Sequence, residues 1–174
     1  MVEPFQSATS PLATGGRIGI CRLPGADGDL AGDVTTIARW KPRLVVSLTE
    51  SAEMERLGAQ SLPDMLAGLG VEWRHFPIID FGTPGPATLI AWPPLSVEIH
   101  AVLDQGGDVL IHCRGGLGRS GMIALRLMVE RGEEPDEALS RLRQARPGAV
   151  ETDEQRAWGS AGARQTMPTT GLGL

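Results

Sequence analysis

The chain has 174 residues, enough for one domain with a real core, and an ordinary globular composition: 41% hydrophobic, 21% charged, mean hydropathy −0.05. A net charge of −5 with scattered basic residues argues against nucleic acid or an anionic membrane surface as a general partner. Two cysteines imply no disulfide framework, and no apolar run approaches the ~18 residues of a membrane span.

Residues 1–15, rich in Pro, Ser and Thr, read as a loose N-terminal tail, 16–164 as the domain, and 165–174 as a second loose end. The N-terminus shows no basic stretch followed by an apolar one, so no signal peptide is expected and the protein should be cytoplasmic. Arg17–Cys21 reads as a first strand, and a Pro/Gly/Asp loop follows. A helix starting near Asp29 places Leu30, Val34, Ile37 and Trp40 on one face and stops at Pro42. Leu44–Leu48 is an apolar run suited to a strand buried on both faces. Short helices are expected from Glu50 to Leu57 and over 61–69, the second with Pro63 in its first turn and Gly70 past its end. Glu50 and Glu53 are expected on a solvated rim, with facing the substrate pocket as the alternative. Val71–Ile78 alternates as a strand, and 79–86 is a Gly/Pro-rich loop containing Asp80. Pro93 and Pro94 are read as the start of a long helix ending at Gly106-Gly107, with His100 as surface or core filler.

The informative stretch is Val109-Leu110-Ile111-His112-Cys113-Arg114-Gly115-Gly116-Leu117-Gly118-Arg119-Ser120-Gly121. An apolar strand runs into a cysteine, a glycine-rich turn follows, and the breaker-free run Met122–Val129 has helical spacing. Such a loop sits on a helix N-terminus, whose unpaired N–H groups and positive partial charge bind anions. Gly115, Gly116 and Gly118 let the amides of 114–118, Arg114 and Leu117 included, curl into a nest sized for a phosphate, and Arg119 can close it with a planar fork. The same dipole and amides favour the Cys113 thiolate, a nucleophile aimed at phosphorus. Ser120 can hydrogen-bond the sulfur, and His112 is expected to be buried and to hold the loop's shape. Asp80, 33 residues before the cysteine, suits the acid that a departing alkoxide needs, although an Asp in a loop is often only a turn former. Cys21 reads as a buried strand residue, with a disulfide to an oxidised Cys113 as the alternative.

Two more helices close the chain, one from Pro135 and one from Asp153, the latter with Thr152 as cap and Gln155 three residues on. Alternating strands and helices argue for a single-domain α/β fold, a three-layer sandwich around a largely parallel sheet with the nest at a strand's C-terminal end.

His112-Cys113-x-x-Gly116-x-Gly118-Arg119-Ser120 resembles the signature of the cysteine-dependent tyrosine and dual-specificity phosphatases. Ile20–Gly25, Pro77–Pro84 and Gly115–Ser120 are similar to the kinase-associated phosphatase branch. The resemblance covers roughly 17–158 and implies the protein tyrosine phosphatase fold and no cofactor or metal. It also implies a phosphorylated protein as substrate and a phosphocysteine intermediate, with Asp80 as acid and then base. Arg146–Val150 followed by Gln155 also resembles the family. There such a glutamine can orient the hydrolytic water, while its own reading here is a capping-box residue. Arg114 stands where that branch has an aromatic residue. A cation there also occurs in phosphoinositide phosphatases, whose second loop cation Leu117 lacks. With no Tyr in the chain, the tyrosine wall of tyrosine-specific enzymes is missing. A phosphoinositide or small-molecule phosphatase, a non-catalytic phosphate-binding module, and a sulfur transferase or arsenate reductase are the competing expectations.

Overall fold

The computed structural model describes residues 8–11 and 16–162. Five strands form one sheet: β1 (Ala8–Pro11), β2 (Arg17–Cys21), β3 (Leu44–Ser47), β4 (Glu72–His75) and β5 (Val109–His112). The spatial order is β1-β2-β5-β3-β4, with β1 antiparallel to β2 and the other four strands parallel. Within the stretch expected as a loose tail, the expectation is corrected at 8–11, which pair with 17–20 as an edge strand. An edge strand needs only one row of hydrogen bonds, which a Pro- and Ser-rich segment can still supply. The expected loose end at 165–174 lies outside the described residues.

The period-2 rule explains the layers. Ile18, Ile20, Leu44, Val46, Val109 and Ile111 point into one core. There they meet α4 (Pro86–Asp104), α5 (Gly118–Glu130) and α6 (Pro135–Ala145), with Trp158 of α7 (Asp153–Ser160) against its edge. Cys21, Val45 and Leu110 point the other way, onto α1 (Leu30–Trp40), α2 (Ser51–Arg56) and α3 (Leu62–Gly68). This is the three-layer sandwich, with β3 and β5 buried on both faces at its centre and β4 a partly exposed edge.

Helix α4 corrects a second expectation. It starts not at Pro93 but at Pro86, after Gly85 as N-cap, and it carries Pro93 and Pro94 inside. Each internal proline withholds the N–H that would bond the carbonyl four residues back, on Leu89 and Ile90. Both of those residues are exposed, so water can satisfy the freed carbonyls. Further along, α4 and α5 are tied through a buried carboxylate. Glu130 accepts from Trp92 Nε1 (3.0 Å), Ser96 Oγ (2.6 Å), His100 Nε2 (2.9 Å) and Arg126 Nε (2.9 Å). Burial alone would raise the Glu130 carboxyl, but these four donors outweigh it and hold it below its ordinary value. His100, expected as filler, is one of the polar pins of this junction.

Register brings Cys21, His112, Ser47 and His75 into one row at the C-terminal ends of the strands. The loops beyond that row carry the chemistry.

Candidate active site

The loop from Arg114 to Leu117 joins β5 to α5, and its carbonyls are all engaged from outside. Leu23 N–H donates to Arg114 O (3.1 Å), and Arg146 donates to Gly115 O and Gly116 O (both 3.1 Å). The N–H groups of Val150 (3.2 Å) and Gly121 (2.9 Å) donate to Leu117 O. Among the described residues no peptide bond is cis, so each following N–H points to the opposite, inner side. Among the described residues, no backbone N–H from 114 to 120 donates to another protein group. The result is an anion nest at the start of a 13-residue helix. Of the three glycines expected to shape it, only Gly116 has a positive φ (69°). A Cβ on Gly116 would lie 2.4 Å from the Cys21 carbonyl carbon, so both backbone angle and close approach require glycine.

Cys113 ends the strand side of the nest. It is 3% exposed, with Sγ 3.4 Å from Ser120 Oγ in the first turn of α5. Its neighbour His112 is fully buried, with Nε2 2.5 Å from Ser47 Oγ, which also accepts from Trp73 Nε1 (2.7 Å). Burial pushes the His112 imidazole down to about 4, so it is neutral at physiological pH and serves as a spacer between strands.

Arg119 is 1% exposed and nearly all of its fork is spoken for. Glu53 takes Nη1 (2.7 Å) and Nη2 (3.0 Å), Ile78 O takes Nη1 (3.0 Å), and Asp80 Oδ1 takes Nη2 (2.9 Å). Nε is buried with no hydrogen-bond partner. Burial opposes the charge, but the Glu53 bonds dominate and keep the guanidinium charged. Glu53 is thereby a correction: expected on a solvated rim, it is buried at the third position of α2. There it also accepts from Glu50 N–H (2.9 Å) in a capping box. Burial would raise its carboxyl, but the Arg119 and Glu50 bonds outweigh that and lower it.

Asp80 lies in a turn closed by Gly82 N–H to Ile79 O (2.9 Å), with Phe81 at φ 58° in the left-handed region usually left to glycine. The turn hangs on α7, because Gln155 Nε2 donates to Gly82 O (3.2 Å). Gln155 is buried, and its Oε1 accepts from Glu151 N–H (3.0 Å) and Thr152 N–H (3.3 Å), while Thr152 Oγ1 accepts from Gln155 N–H (3.1 Å). The capping-box reading of Gln155 is what the structure contains. Asp80, Phe81, Arg114, Gly115 and Glu151 line the mouth, a cleft of about 260 Å³.

Cys113, Ser120, Arg119 and Asp80 thus converge with Arg114 and the three glycines, Gln155 holds the Asp80 turn from outside, and His112, expected to hold the loop's shape, instead bonds Ser47 on the neighbouring strand. Sequence reasoning missed Glu53 and Arg146. A carboxylate in a capping box just after a buried strand, and an arginine opening the Arg-Pro-Gly-Ala-Val segment, were the available signals.

A thiol and an arginine around an amide nest, at the carboxyl edge of a parallel sheet, mark the class of cysteine-dependent phosphatases. The chain belongs to that class, in the dual-specificity phosphatase family: the model of the "Dual specificity phosphatase, catalytic domain" matches residues 93–158. Mouse cyclin-dependent kinase inhibitor 3 is 30% identical over 145 residues, spanning 79% of this chain and 67% of that protein, and the human protein is 28% identical over 146. The solved kinase-associated phosphatase carrying a catalytic cysteine-to-serine substitution superposes with a TM-score of 0.78 at 25% identity, over 91% of this chain and 94% of that one. Tk-PTP in its active form gives 0.65 at 33% identity over 91% and 95%. The chain is a cysteine-based protein phosphatase of the tyrosine and dual-specificity type, and its fold is theirs.

Proposed function

We propose that Cys113 is the nucleophile of this phosphatase and that the reaction passes through a phosphocysteine. The observation that carries the reading is the set of inward, unpartnered amides of 114–120 beside the buried, unpartnered Nε–H of Arg119, with Sγ between them and Ser120. A phosphate dianion entering the nest accepts from these amides and from Nε. It also competes with Asp80 for Nη2, so substrate binding sets the Asp80 carboxyl free at the side from which the leaving oxygen departs. Asp80 is then the acid that protonates that oxygen as the O–P bond breaks. Ser120 hydrogen-bonds the sulfur when the S–P bond later breaks, and water completes the cycle. The amides and Arg119 supply the charge stabilisation, so no step needs a metal.

The substrate class we propose is a phosphorylated protein, at phosphotyrosine, phosphothreonine or phosphoserine, in the reducing cytoplasm that a reactive thiol needs. The fit to relatives of that kind supports it. A second reading, an inositol phosphate headgroup, rests on the exposed Arg114 in the cleft wall, where Leu117 adds no further cation. The test is phosphate release from p-nitrophenyl phosphate, with reductant and EDTA present, for wild type and Cys113→Ser. Turnover that survives EDTA and disappears in the variant supports the assignment. Folded wild-type protein without turnover overturns it. Phosphopeptides and inositol phosphates at equal concentration then decide between the two substrate readings.

A further inference from the structure

Among the described residues, exposed large apolar side chains gather in one stretch. Ile79, Phe81, Leu89 and Ile90 are between 45% and 81% exposed, and only Leu69 lies elsewhere. Ile79 and Phe81 flank Asp80 in the turn closed by Gly82 N–H to Ile79 O, and Phe81 lines the cleft. Leu89 and Ile90 stand near the start of α4, where Thr88 Oγ1 donates to Pro77 O (3.2 Å). That bond closes the acid turn and the start of α4 into one loop on the rim of the cleft. Stability does not account for this face. Phe81 takes a left-handed φ of 58°, costly for a bulky side chain, and its ring still joins neither core. An exposed apolar cluster of this kind marks a place where another molecule binds.

Two features identify that molecule as a polypeptide. The first is continuity. The cleft that receives the phosphorylated residue opens beside Phe81, so the neighbouring residues of a protein substrate run over this rim. The second lies in α4, where Pro93 and Pro94 withhold the N–H groups that would bond Leu89 O and Ile90 O. The same two residues therefore present apolar side chains together with carbonyls deprived of their helical donors. A peptide backbone carries donors for such carbonyls, whereas the hydrocarbon of a membrane carries none. The opposite wall of the cleft is charged, with Arg114 and Glu151, so the apolar contact is confined to one side. We propose that the face formed by Ile79, Phe81, Leu89 and Ile90 docks the segment of a protein substrate next to its phosphorylated residue, and that it selects apolar side chains there. The inference rests on the reading of the substrate as a phosphorylated protein.

The experiment uses a pair of phosphotyrosine peptides and a pair of phosphothreonine peptides, all with lysine at both ends. Within each pair the residues flanking the phosphorylated one are Leu, Ile and Val in one peptide and Ser, Gly and Asn in the other. Phosphate release is measured for wild type, Ile90→Ala and the double variant Leu89→Ala/Ile90→Ala, with p-nitrophenyl phosphate as the control and thermal melts to confirm folding. Wild type should favour the apolar peptide by about 10-fold in kcat/KM, carried by KM, the scale of one well-packed contact. Ile90→Ala should lose part of that preference and the double variant all of it, while turnover of p-nitrophenyl phosphate stays within about twofold of wild type. Equal kcat/KM for the paired peptides in wild type overturns the proposal. So does a preference that survives in the double variant, or a loss that falls equally on p-nitrophenyl phosphate. Binding to phosphatidylcholine vesicles, or a dimer in sedimentation, that the double variant abolishes in place of any peptide preference would give the face to lipid or to a second copy and overturn it as well. Hydrolysis of inositol phosphates with no turnover of any peptide would instead break the substrate reading itself.

Discussion

Replacing Glu53 by alanine would test how the arginine is held. The substitution removes two of the acceptors on a guanidinium that is 1% exposed, together with its buried countercharge. Breaking a buried pair by deleting one partner costs about 3–5 kcal/mol. Ile78 O and the half-exposed Asp80 still accept from Arg119, so a loss nearer about 2–3 kcal/mol is expected here. For a domain of this size that lowers the melting temperature by roughly 5–10 °C. The freed fork also loses its angle to the nest, and a misplacement of about 1 Å costs on the order of 100-fold. Calorimetry with kcat/KM on p-nitrophenyl phosphate measures both, and Glu53→Gln should fall between. The Glu53 carboxyl is lowered in the folded state, so its contribution is present above the unfolded carboxylate value and is lost as pH falls through the folded one. A Glu53→Ala protein that melts within about 1 °C of wild type and turns over at the same rate would refute the reasoning.

Asp80→Ala should slow alkyl phosphates more than p-nitrophenyl phosphate, whose leaving group needs no proton; equal slowing would count against Asp80 as the acid. Gly116→Ala should cost at least about 2 kcal/mol in denaturant unfolding, because a methyl meets the Cys21 backbone at 2.4 Å on a φ of 69°. Glu130→Gln should destabilise by about 2–3 kcal/mol while kcat per folded molecule stays constant, since the α4–α5 pin touches nothing in the cleft. His112 falls from 6.5 to about 4 on folding, so the unfolded chain binds its proton first. Stability should therefore drop by roughly 2–3 kcal/mol as pH falls from 7 to 4.5; a flat profile would mean the imidazole is not buried neutral.

The strands and most helices were legible because their apolar spacing serves two faces of one sheet, as Val45 against Val46 shows. The loop from Cys113 to Ser120 was legible because its residue types admit few other arrangements. The rest depends on contacts that only the fold creates. Glu53 reads as an ordinary helix-start acid until α5 brings Arg119 beneath it. Pro86 and Pro93 are equally good first residues of a helix by local rules, and the burial of Trp92 against Glu130 draws the helix past the second pair. β1 is invisible for the same reason: its hydrogen bonds depend on β2 lying alongside, and its own composition favours a loop.

The strand order has a consequence for how the molecule is made. β5, the strand that delivers Cys113, lies between β2 and β3, although it is the last of the five to leave the ribosome. Until residue 112 has emerged, the β1–β2 hairpin and the β3–β4 pair have no partner in common, and each presents an open edge. Insertion of β5 closes both edges at once and at the same moment sets the cysteine above its loop. A nascent chain thus lacks its central strand until residue 112 is out, and this interval, when unpaired edges are exposed, is when it most needs protection from its neighbours.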